Sequence, residues 1–240
     1  MTPLYLASLP IDLRALRGWA AARRDFGADE GCALHHLLSE TFGKGALQPF
    51  RLMVRPGAAS GSLYAYAHAD ETALQQVARE CALPDALTVC DPARLAVKLM
   101  PDAWKEGRRL AFDLRVRPVK RLLKPAGVFP KGAEVDAFLA EALRKFPFGP
   151  PLDARVERES VYRQWLSERL GEAARLEQAR MVDFERRTVL RGRQTHEGPD
   201  VTWHGELTVL DGEKFAARLA SGVGRLGAYG YGMLLLRPAR

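Results

Sequence analysis

His35 and His36 stand side by side in a segment where Leu34, Leu37 and Leu38 recur at helical spacing, so the pair belongs to an amphipathic helix over about 29–41. Imidazole titrates in the range where a side chain can take or give a proton at neutral pH. In a helix the two rings point about 100° apart, so one of them faces a given partner and the other does not. The other chemically unusual stretch is Gly222-Val223-Gly224-Arg225-Leu226-Gly227-Ala228-Tyr229-Gly230-Tyr231-Gly232, just ahead of an apolar terminal strand. Its glycines can reach positive φ and bring backbone N–H groups close to a phosphate, while Tyr229 and Tyr231 offer ring faces for stacking. No Gly-Lys-Ser/Thr follows, and a helix precedes the loop where the dinucleotide-binding order would place it after, so no nucleotide cofactor is expected. Cys32, Cys81 and Cys90 are odd in number and lack CxxC spacing, which supports neither a disulfide framework nor a zinc site.

Charge points to a polyanionic partner. The net charge is +7. Up to Cys90 there are 8 Lys and Arg against 9 Asp and Glu, and the remainder carries 28 against 20. The excess therefore lies wholly in the second part, in Arg108, Arg109, Arg115, Arg117, Lys120, Arg121 and Lys124 and again in Arg186, Arg187, Arg191 and Arg193. Such clusters can track a phosphate backbone, although any one of them can equally be a solvated face.

The elements that position these residues follow a repeated pattern. In the first part, a strand at Leu4–Leu9 precedes the histidine helix, and Phe50–Val54 and Ser62–His68 form a hairpin. A helix follows over Glu71–Cys81, and Leu87–Cys90 supplies a fourth strand. The order βαββαβ is that of the ferredoxin-like fold. In the second part, Leu110–Val116 is an alternating strand and Ser160–Leu170 a helix. A long hairpin has arms Met181–Leu190 and Val201–Leu210 with its tip at Gly192–Pro199, and a short helix Lys214–Ala220 precedes the strand Met233–Leu236. The sequence thus predicts an α+β protein of two tandem ferredoxin-like folds, residues 1–91 and 92–240. An insert at 125–153 in the second carries its own helix, Glu134–Lys145. The chain has 240 residues, 47% of them hydrophobic, and no apolar run approaches 18 residues. A cytoplasmic protein with no membrane segment is expected.

Several stretches resemble a known family. Val201-Thr-Trp-His-Gly-Glu-Leu-Thr-Val-Leu, the glycine-rich loop, and Leu234-Leu-Leu-Arg-Pro are similar to the terminal signature of CRISPR repeat endoribonucleases of the RAMP superfamily, closest to the CasE subfamily. Leu110-Ala-Phe-Asp-Leu-Arg-Val-Arg-Pro-Val-Lys-Arg-Leu is similar to the family's basic strand, and Tyr162-Arg-Gln-Trp-Leu-Ser-Glu-Arg-Leu-Gly to its middle helix. The insert is longer than a CasE protein would have and resembles the helical additions of type IV CRISPR processing enzymes.

The resemblance implies a metal-independent endoribonuclease that binds CRISPR repeat hairpins, cleaves precursor crRNA into guide RNAs and stays with its product beside other effector-complex subunits. A catalytically inactive hairpin-binding subunit of the same fold is the alternative. Aligning Leu34 with the apolar residue ahead of the family's catalytic histidine selects His35. Cys32 stands where several relatives carry an assisting tyrosine, so a neighbour is needed, and Arg23, Arg24 and Ser39 are the candidates. RNA contact is expected from Arg115, Arg117, Lys120 and Arg121, from Arg186, Arg187, Arg191 and Arg193, and from Gly222, Gly224, Arg225, Gly227, Tyr229, Gly230 and Tyr231. His196 and His204 are read as stem contacts or surface residues, and neither a metal nor a small-molecule cofactor is expected.

Overall fold

The computed structural model describes residues 2–23, 29–146, 149, 156–191 and 194–239. The first part contains β1 (Tyr5–Asp12), α1 (Leu13–Ala22), α2 (Glu30–Phe42), β2 (Phe50–Val54), β3 (Ser60–Ala67), α3 (Glu71–Cys81), the single turn α4 (Pro84–Leu87) and β4 (Ala96–Leu99). The strands form one antiparallel sheet in the order β2-β3-β1-β4. Asp12, Asp29 and Asp70 each cap the helix that follows by accepting a backbone N–H three residues on. A core of Leu9, Ile11, Leu34, Leu37, Phe42 and Phe50 is thereby closed between helices and sheet.

Two differences from the sequence expectation stand out in this half. The fourth strand is Ala96–Leu99, not Leu87–Cys90, so the first sheet runs past residue 91. Pro84 sits in the first turn of α4, and the apolar residues after it, Val89 and Cys90, are buried in the core without joining a ladder. Helix α1 was not foreseen, although Leu13, Leu16 and Trp19 supply its buried stripe.

The second part contains β5 (Arg109–Val116), β6 (Val119–Arg121), β7 (Glu134–Asp136), α5 (Ala137–Lys145), α6 (Arg158–Leu170), β8 (Ala174–Arg191), β9 (Gln194–Val209), α7 (Gly212–Ser221) and β10 (Leu235–Pro238). Its antiparallel sheet has the order β10-β5-β9-β8, over a core that includes Phe112, Tyr162, Trp165, Trp203 and Phe215. Strands β6 and β7 form a separate two-stranded ribbon, so the expected insert helix begins at Ala137 and its first three residues are strand. The hairpin β8–β9 pairs as far as Arg191↔Gln194, beyond the expected arms.

The halves interlock. Leu4, Tyr66 and Met100 from the first are buried in the second core, and Leu190 and Tyr229 from the second pack on the first core. The Tyr66 hydroxyl donates to the Leu234 carbonyl at 2.8 Å, and the half-buried Arg51 guanidinium of β2 meets the buried Asp113 carboxylate of β5 at 3.2 Å.

Candidate functional site

Helix α2 presents His35 toward the glycine-rich loop. The imidazole is half-buried, hydrogen-bonds to the backbone of Ala228 and lies against the Tyr229 ring, with centroids 4.8 Å apart and planes 32° apart. His36 approaches its edge at 5.2 Å. Burial lowers the His35 pKa from 6.5, and the charges of His36 and Lys44 lower it further, partly offset by the bond to Ala228. The neutral ring, able to accept a proton, is therefore favoured at neutral pH. Lys44 escaped the sequence reading because it lies in the turn after α2, where the only signal was a cation flanked by Gly43 and Gly45.

Close approach of α2 and the loop depends on glycine. A Cβ on Gly31 would fall 2.5 Å from the Tyr229 carbonyl oxygen, and one on Gly232 would fall 2.6 Å from the Val223 oxygen at a φ of +80°. Leu226 also adopts left-handed backbone, φ 64°, at the start of the turn Gly227–Tyr229. Backbone cost of this kind is retained where the surroundings over-determine a functional conformation.

The loop also walls a cleft of about 350 Å³, lined by Gly224–Tyr229, by His196 and Glu197 of β9, and by Arg117, Val119 and Glu134. One segment therefore faces both the imidazole and the cleft. Of the expected loop contacts, Gly224, Arg225, Gly227 and Tyr229 line this cleft, and Arg225 is ion-paired with Glu134 of the ribbon. Gly222, Gly230 and Tyr231 are buried. The Tyr231 hydroxyl donates to Asp200 at 2.9 Å, so this ring is not offered for stacking.

The basic residues divide into a framework and a surface. Arg115 makes two hydrogen bonds to the Asp200 carboxylate, at 2.9 and 2.5 Å. Burial pushes the Asp200 carboxyl up, but its bonds to Arg115 and Tyr231 outweigh that and hold it below the usual carboxylate range. Arg117 is buried and donates to the carbonyls of Arg187 (3.1 Å) and His196 (2.9 Å), tying together the two arms of the hairpin. Both guanidiniums thus have partners within the protein, and Arg117 also lines the cleft beside the loop. Arg186 and Arg187 are exposed on β8, paired with Glu197 and Glu185 respectively. Lys120 and Arg121 belong to the ribbon, where Lys120 pairs with Glu168 and Arg121 donates to the Gly132 carbonyl. Arg193 and Arg24 lie outside the described residues, as does the side chain of Arg191.

Two of the expected partners of His35 are committed elsewhere. Arg23 stacks on Trp19 and pairs with Asp85 (2.8 Å) and Glu40 (3.3 Å), the latter five residues after His35 and so about 140° around the helix. Ser39 lines the same small cavity as His35, but its hydroxyl donates to the His35 carbonyl at 2.7 Å. Asp29 connects the site to the hairpin: its Oδ1 caps α2 at Cys32 N (3.1 Å) and its Oδ2 accepts the Leu190 N–H of β8 at 2.6 Å. His204 is bonded to Asp113 at 2.8 Å on the open face of the second sheet, away from His35.

Comparison with solved structures gives the same fold at low identity. Thermus thermophilus Cse3 bound to an RNA representing a pre-cleavage complex matches with a TM-score of 0.66 and 22% identity, over 98% of this chain and 100% of that one. Cas6e from Escherichia coli str. K-12 matches with a TM-score of 0.56 and 20% identity, over 98% and 100%. A chain of a CRISPR RNA-guided surveillance complex, pre-nicking, matches with a TM-score of 0.60 and 16% identity, also over 98% and 100%. No curated protein matches the chain. The family model described as CRISPR associated protein matches residues 4–238. The chain belongs to the CRISPR-associated protein family.

Proposed function

We propose that this protein is a metal-independent endoribonuclease that binds CRISPR repeat hairpins and cuts precursor crRNA into guide RNAs, remaining with its product beside other subunits of an effector complex. The carrying observation is His35, held against Ala228 and Tyr229, two loop residues that also line the adjoining cleft. Family membership supports the reading, as does a fold shared with Cse3, described as a CRISPR endoribonuclease bound to RNA, and with a chain of a surveillance complex. Both sheets follow the strand order 4-1-3-2 when counted within their own half, which fits two ferredoxin-like units in tandem.

In this mechanism neutral His35 takes the proton of a ribose 2′-hydroxyl as its oxygen attacks the adjacent phosphorus. The P–O bond to the 5′-oxygen breaks, that oxygen takes a proton from water as it leaves, and the upstream product ends in a 2′,3′-cyclic phosphate while His35 returns its proton to solvent. Lys44, whose charge is felt at His35, would offset negative charge building on the phosphorane. A labelled repeat hairpin incubated with the protein in excess EDTA should be cut once, with a cyclic phosphate end. Loss of cutting on chelation, restored by magnesium, would overturn the mechanism.

The commitment of Arg23 and Ser39 to other partners favours, as a second reading, a hairpin-binding subunit that no longer cuts. Tight hairpin binding without product at any pH would select it.

A further inference from the structure

The β6–β7 ribbon has two working sides. Val119 and Glu134 line the cleft beside the glycine-rich loop, whereas Lys120 and Arg121 line a second, larger groove of about 860 Å³ that α5 and α6 close through Arg144 and Gln164. The cleavage chemistry above makes no use of this groove. Its lining carries four cations, Lys120, Arg121, Lys124 and Arg144, against one acid, Glu141. Among the described residues Lys124 and the nearby Lys131 form no ion pair, although the ribbon is otherwise rich in them. Apolar side chains interleave with the cations: Leu122, Leu123 and Pro125 are on the wall. Leu123 is 83% exposed and Val128, on the same excursion, 91%.

Alternating cationic and apolar wall suits a strand whose phosphates and bases are both accessible. A stem presents phosphates outward and hides its base faces, so it would leave the leucines in water. An acidic protein segment could satisfy the lysines, but the ribbon walls both groove and cleft, so a strand leaving the cleft along the ribbon reaches the groove.

We propose that the insert's groove binds unpaired RNA flanking the repeat hairpin, making the insert a second RNA site beside the cutting site. This rests on the reading that the cleft holds a repeat hairpin. The flank adds phosphate contacts, each contributing about 0.7 to the slope of log affinity against log salt for single strands.

The test compares a repeat hairpin with the same hairpin carrying about eight unpaired nucleotides on either side, a length usual for such grooves. Wild-type protein should bind the flanked RNA about tenfold more tightly and with a steeper salt slope. In Lys124→Gln/Arg144→Gln, both exposed positions, the two RNAs should bind with equal affinity, and the difference in salt slope should shrink by about 1.4. Equal binding of both RNAs by wild type, or a full flank effect retained in the folded variant, overturns the proposal. Failure of wild type to bind either RNA would instead overturn the hairpin reading.

Discussion

Asp29 and Leu190 lie 161 residues apart and are joined by one hydrogen bond, from the Leu190 amide to the same carboxylate that caps the histidine helix. The hairpin that carries Arg186 and Arg187 is thereby fastened to the first turn of α2, six residues before His35. Asp29→Ala removes the cap, at about 1 kcal/mol, and leaves the amide unmatched, at about 1 to 3 kcal/mol. Thermal melting should fall by about 4 to 16 °C at the 2 to 4 °C per kcal/mol usual for chains of this length. Asp29→Ser keeps the cap but is too short to reach Leu190. It should melt closer to wild type while single-turnover cleavage falls about tenfold, as expected when a catalytic group shifts by a fraction of an ångström. Wild-type cleavage by the serine variant would show that the bond is structural only.

His35→Ala should lower single-turnover cleavage at least about a hundredfold with hairpin affinity nearly unchanged, and His36→Ala should do much less. Because the His35 pKa is depressed below 6.5, the basic form predominates at neutral pH and the acid limb of the rate profile should lie below pH 6.5. The sign for stability is the same: the unfolded ring binds protons first, so this group's contribution is lost as pH falls below about 6.5. A limb above pH 7, or full activity in His35→Ala, would assign the base elsewhere.

Arg117→Ala should behave unlike the surface arginines. Removing a buried guanidinium that bonds the Arg187 and His196 carbonyls should lower melting by several degrees and weaken hairpin binding with little change in salt slope. Arg186→Gln/Arg187→Gln should leave melting nearly unchanged and flatten the slope by about 1.4 to 1.8, two phosphate contacts' worth. Titrations at four salt concentrations separate the two cases, and equal slopes for the two proteins would put the RNA on another face.

Gly232→Ala should be more destabilising than Gly224→Ala. At both positions φ is positive, but the added Cβ at 232 meets backbone 2.6 Å away, whereas at 224 it meets the Trp165 ring at 3.0 Å. Gly31→Ala should also lower melting, because its Cβ would fall 2.5 Å from the Tyr229 carbonyl oxygen, and it should weaken cleavage as well, since that carbonyl belongs to the part of the loop that holds His35. Melting curves and single-turnover rates on the three proteins check the order.

Period and punctuation in the sequence located most elements. Helix α3 falls at Glu71–Cys81 as its spacing indicates, and the histidine pair falls on α2. What failed has physical reasons. Leu87–Cys90 is short and apolar, which suits a core turn as well as a strand, and only the pairing of Ala96–Leu99 with β1 decides between them. Arg115, Arg117 and Tyr231 have the residue types of an RNA surface, and nothing local reveals that Asp200 and two hairpin carbonyls also bond them. Arg23 likewise finds Glu40 and Asp85, partners in other elements. Local pattern reports what a residue can do, and tertiary pairing decides whether it is available.

The imidazole is made early in the chain and its wall very late: Ala228 and Tyr229 close on His35 only when the segment after α7 has folded back across the first half. Chains are synthesised from the N-terminus and their domains generally fold in that order. A nascent chain that has completed only its first sheet therefore displays the histidine without a pocket, and so does any fragment ending before Gly222. The pocket around His35 is therefore completed only when the segment after α7 is in place, so on the proposed reading cutting would begin with the finished chain and not before.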